Sequence, residues 1–121
     1  MDLVLSLHGR VAFALVLYYA FVGLWAIFQG IRDRGPNASL RGAIAIATIA
    51  AVVQGLLGLL VLVFRGAPAE IVHILYGLAL VVAMPLAATL VRDRTPRGQS
   101  VALGLAALFT AGLAIRGITT G

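Results

Sequence analysis

The chain has 121 residues, 62% of them hydrophobic and 11% charged, with a formal charge of +5 and a mean hydropathy of +1.09. Soluble domains usually carry about 25% charged residues, and so short a chain cannot bury this much apolar surface in a water-surrounded core, so lipid must solvate most of it. The basic residues are all arginines placed at the ends of apolar runs, which argues against nucleic acid, and the lack of cysteine excludes disulfides, thiolate metal sites, iron–sulfur clusters and covalent c-type haem.

Four apolar segments follow in chain order. The first runs over roughly residues 3–31, the second 40–64, the third 69–91 and the fourth 99–118. Each has about 20 residues or more, enough for a helix to span a hydrocarbon core of about 30 Å. The runs are rich in Ala and Leu without alternation, and in lipid only helices or closed barrels satisfy the backbone, so strands are not expected. Asp2 and no basic residue precede His8, unlike the basic start of a cleavable leader, so the first segment is read as retained. Small residues on the second segment (Gly55, Gly58) and the fourth (Gly104, Ala107, Ala111) suit close helix packing, though alanine is common throughout. Pro85 inside the third segment should free the carbonyl near Val81 and favour a kink.

The loops set the topology. Loop one carries Arg32, Arg34 and Arg41 with Asp33, and loop three carries Arg92, Arg94 and Arg97 with Asp93. Loop two has only Arg65 and Glu70 around Gly66 and Pro68. The positive-inside rule then places loops one and three in the cytoplasm, with both termini and loop two outside. The expected fold is an all-α membrane protein, a single up-down bundle of four transmembrane helices in a bacterial inner (cytoplasmic) membrane. Arg-Asp-Arg-x-Pro occurs twice, at 32–36 and 92–96, so the chain also reads as two parallel helical-hairpin repeats. A charged stop after an apolar run is equally a generic membrane signal.

The two histidines carry the main chemical expectation. Segments one and three run in the same direction, so His8 and His73 lie near the same membrane face. Counted from the arginine loops they stand 24 and 19 residues away (Arg32 to His8, Arg92 to His73), a difference of about 7 Å along a helix axis. Ionisable side chains in membrane spans usually face the bundle interior, where cofactors are held from facing helices. Two neutral imidazoles could supply both axial ligands of a b-type haem. Ala12 and Gly77, each four residues after a histidine, would leave room for a flat macrocycle. Arg10, Arg65 and Arg116 fall at the outward end, where haem propionates would lie, with Gln54 and Tyr76 as polar neighbours. Other uses stay open: histidines in the headgroup region, a chlorophyll-type pigment on one imidazole, and arginines that snorkel as interfacial anchors.

The stretch VVQGLLGLLVLVFRGAPAEIVHILYGLALVVA, from Val52 to Ala83, resembles a helix–loop–helix of the haem A synthase family. Gln54, Leu57-Gly58 and His73 occupy the places of that family's glutamine, small-residue element and haem-ligating histidine. The stretch LHGRVAFALVL from Leu7 resembles the preceding ligand helix, with His8 as second axial ligand. The resemblance covers about one four-helix half of the family's eight-helix fold. It implies a haem-holding module without the family's hydroxylation chemistry. Leu5 stands where the catalytic half has a glutamate, and the outward loop has no cysteine pair. Glu70, three residues before His73, suits support of a helix start.

No Ser/His/Asp set, HExxH motif, phosphate loop or in-membrane carboxylate pair appears, so no catalytic activity is expected. No charge sits at mid-membrane, where transport coupling sites normally lie. Two functions remain: a bis-histidine haem b protein passing electrons, with a quinol, an external cytochrome or another subunit of a respiratory or photosynthetic complex as partner; or a cofactor-free accessory subunit of a larger membrane complex. A pigment-binding subunit is a third.

Overall fold

The computed structural model describes residues 2–121 and is helical throughout, as α1 (Asp2–Ile31), α2 (Ala38–Arg65), α3 (Val72–Leu90) and α4 (Pro96–Thr120). No strand occurs among the described residues. All four helices are long and apolar enough to cross a membrane. Phe13, Phe21, Leu75 and Phe109 are each more than half exposed on the bundle's outside, a surface only lipid solvates favourably. The protein is an integral membrane four-helix bundle.

Local chemistry sets the helix ends. Asn37 caps α2 by accepting from the Leu40 backbone N–H at 2.8 Å, so that helix starts before its apolar run. Gly66, at φ +91°, ends it. Thr95 caps α4 through the Gly98 N–H at 3.1 Å, and Pro96 takes the first helical position, where its missing donor costs nothing. The fourth helix thus starts three residues before the apolar boundary at Gln99. The third starts at Val72 rather than Ala69, because the Glu70 N–H bonds the Thr120 carbonyl at 3.1 Å instead of joining a helical ladder. α3 runs unbroken through Pro85.

The helices form a ring in which α1 packs on α2 and α4, and α3 on α2 and α4; the backbones of the diagonal pairs stay apart. One end joins Asp2 to Arg65 by a 3.2 Å ion pair. At the other end the Ser100 hydroxyl donates to the Arg34 carbonyl at 2.7 Å, and Arg41 donates to Gln99 at 3.3 Å. Both hairpins enter from the same end. A parallel repeat would make the α1–α4 and α2–α3 interfaces alike, yet the first is the most extensive and the second the sparsest.

Glycine explains the asymmetry. A Cβ on Gly104 would lie 2.8 Å from the Gly23 carbonyl oxygen and 2.9 Å from the Ile27 nitrogen, so the α1 and α4 backbones nearly touch. Gly30 packs against Val101 in the same way, and Ala26, Ala107, Ala111 and Ala114 are buried along this seam. Such approach drives helix association in lipid, where no hydrophobic difference favours helix over solvent. Gly55 has no comparable partner; a Cβ there would meet only a Val81 methyl, at 3.7 Å. The α1–α2 interface is instead held by the Tyr18 and Tyr19 hydroxyls, which donate to the Ala43 and Ala47 carbonyls at 2.8 and 3.1 Å.

Candidate functional site

The two histidines come together. His8, in the second turn of α1, and His73, in the first turn of α3, approach across the bundle diagonal with ring centroids 6.0 Å apart and planes at 75°. The difference in their distances from the arginine loops does not separate them. Both rings are half-buried at the end that holds Asp2, Arg65, Glu70 and Thr120.

Each histidine is positioned by a neighbouring helix. His73 Nδ1 lies 2.7 Å from the Gly117 carbonyl oxygen on α4. A carbonyl can only accept, so Nδ1 carries the proton and the lone pair of the neutral ring is on Nε2. Thr120 Oγ1 lies 3.4 Å from the same nitrogen and is itself fixed by donating to the Arg116 carbonyl at 2.7 Å. Against His8 stands Gly58 of α2, where a Cβ would lie 3.1 Å from the ring's Cε1. Gln54, one turn before Gly58, is buried and donates from Nε2 to the His8 backbone carbonyl at 2.9 Å. That bond links α2 directly to the α1 backbone at His8.

Two polar atoms in this cluster lack partners. His8 Nδ1 and Gln54 Oε1 are both buried and bond nothing among the described residues. Buried polar atoms are nearly always satisfied, which sets these two apart within the cluster.

The donor set can be compared with known metal chemistry. A nitrogen ligand sits about 2 Å from its metal. With the ring centre roughly 1 Å behind the nitrogen, two imidazoles facing each other across one metal have centroids about 6 Å apart. The observed 6.0 Å is compatible with that span, and with planes at 75° it is equally a direct edge-to-face pair. No group of three or more His, Cys, Asp or Glu side chains that could hold an ion occurs among the described residues. His8 and His73 could each offer one imidazole nitrogen to a metal centre that brings its other ligands, as a tetrapyrrole iron does.

The remaining expected residues divide. Gly77 borders open space, with nothing within 4 Å of an added Cβ, and Ala12 is half-buried. Arg116 stacks over the Tyr76 ring, 5.6 Å from its centroid, and Arg65 is paired with Asp2. Both are engaged with protein partners, whereas Arg10 is exposed without a hydrogen bond or ion pair among the described residues. The site also includes residues that the sequence does not single out: Gly117 and Thr120, which hold His73. A backbone carbonyl leaves no trace in residue type. No family model, curated protein or solved structure matches the chain.

Proposed function

We propose that this protein is a membrane-embedded haem b-binding protein with His8 and His73 as axial ligands, acting as an electron-transfer or accessory subunit of a respiratory or photosynthetic complex. The observation that carries the reading is the imidazole pair at 6.0 Å on opposite helices of the bundle, with no third His, Cys, Asp or Glu grouped with it among the described residues. Bound there, a haem would supply one-electron redox chemistry at its iron.

The chain's own residues prepare the site. The Gly117 carbonyl fixes the His73 tautomer and ring orientation, and a ligand histidine normally donates its other N–H in this way. Gln54 pins the α1 backbone at His8, so the ring's position is set by α2. The α2–α3 seam is the sparsest in the bundle, Gly58 lies against the His8 ring, and Gly77 borders open space. Arg10 is the arginine best placed to meet a propionate, because Arg65 and Arg116 have partners already. The arginine-rich loops point to a cytoplasmic position for that end, and so to an outward-facing histidine pair. A single haem near one face cannot carry electrons across the membrane, so a quinol, an external cytochrome or a neighbouring subunit completes the path.

A reduced-minus-oxidised optical spectrum of protein purified under haem-replete conditions tests this. The expected result is a b-type α band at one haem per chain, lost in His8→Ala and in His73→Ala but retained in Arg116→Gln. Colourless wild-type protein, or a band indifferent to both histidine changes, overturns the reading and leaves a cofactor-free accessory subunit.

A further inference from the structure

A second site lies near the opposite end of the molecule. α3 and α4 leave an open apolar groove of about 530 Å³, floored by Ala79, Ala83, Ala87 and Ala106 and walled by bulkier side chains such as Leu86 and Phe109. Along α3 it extends from Ala79 to Leu90, a length of about 16 Å at 1.5 Å per residue. Leu90 is the last residue of α3, so the groove ends where the α3–α4 loop begins.

That loop is basic and held in place. Arg92, Arg94 and Arg97 stand exposed within eight residues of Leu90, against the single acid Asp93. Among the described residues no ion pair joins any of the three to a carboxylate. Gln99 donates to the carbonyls of both Arg92 and Arg94, at 3.3 and 3.1 Å, so the loop backbone is tied to the first turn of α4. A long narrow apolar channel open to the bilayer, with three exposed arginines on the loop that follows its Leu90 end, suits an acyl chain bearing an anionic phosphate head.

We propose that the α3–α4 groove binds one anionic phospholipid, with an acyl chain against Ala83 and Ala87 and the phosphate on Arg92, Arg94 and Arg97. Guanidinium groups recognise phosphate by charge and by paired N–H donors. The site is independent of the histidines.

Native mass spectrometry of the purified protein, titrated with equal amounts of phosphatidylglycerol and phosphatidylcholine, measures this. The expected result is selective retention of one phosphatidylglycerol. Replacing all three arginines by glutamine should erase the selectivity, at roughly fivefold per arginine removed. Filling the groove by Ala83→Leu with Ala87→Leu should remove the bound lipid while Arg92, Arg94 and Arg97 stay in place. Arg116→Gln, at the far end, should change neither, and retained helical circular dichroism checks that each variant is folded. Equal retention of the two lipids overturns the proposal, and so does phosphatidylglycerol selectivity that survives either the glutamine or the leucine variant.

Discussion

Replacing Gly104 by alanine adds one methyl group at the closest approach of α1 and α4. That methyl carbon would lie 2.5 Å from Ile27 Cγ1, 2.8 Å from the Gly23 oxygen and 2.9 Å from the Ile27 nitrogen, whereas ordinary contacts of such a carbon begin near 3.4 Å. The Ile27 side chain can rotate away, but the two backbone atoms cannot, so the helices must part by about 0.5–1 Å. A gap of that size forfeits a quarter to a half of the dispersion energy of each facing pair, and overpacking of a tight interface costs about 1–3 kcal/mol. Gly112→Ala on the same helix is the control. Its added carbon meets nothing within 4 Å, and it carries the same gain in helix propensity of up to about 1 kcal/mol. Trp25, half-buried on α1, reports unfolding by fluorescence during equilibrium denaturation in mixed micelles. The expected outcome is that Gly104→Ala is less stable than Gly112→Ala by about 1–3 kcal/mol. Equal stability of the two variants would refute the view that glycine-mediated backbone approach holds α1 to α4.

Two further outcomes follow from other contacts. Ser100 is fully buried and ties the first loop to α4 through the Arg34 carbonyl at 2.7 Å; Ser100→Ala should cost about 1 kcal/mol in the same unfolding assay, and an unchanged midpoint would count against that bond. Gly58→Val should displace the His8 ring, whose Cε1 would already lie 3.1 Å from a Cβ, and so lower haem occupancy in the optical assay. Gly55→Ala, with only a methyl at 3.7 Å, should leave occupancy unchanged.

The division between sequence and tertiary structure is clearest at particular residues. Four spans, their alternating direction and the placing of His8 and His73 at one end were legible in the sequence. Lipid demands about 20 apolar residues per crossing, and charged loops interrupt those runs visibly. The caps Asn37 and Thr95 were not read from it, so the apolar boundaries at Leu40 and Gln99 sit two or three residues inside the true helix starts. Which face of each helix turns inward was not. In lipid a core-facing side chain and a bilayer-facing one are both apolar, so no amphipathic stripe marks the buried side. The dominance of α1–α4, the pairing of Gly23 with Gly104, and the role of Gly58 as the wall beside His8 depend on shape, and shape appears only when the helices pack. The same holds for the site. The histidines are visible as residues, but the 6.0 Å between their rings and the carbonyl of Gly117 that fixes one of them exist only in the assembled bundle, because backbone atoms and interhelical distances have no letter in the chain.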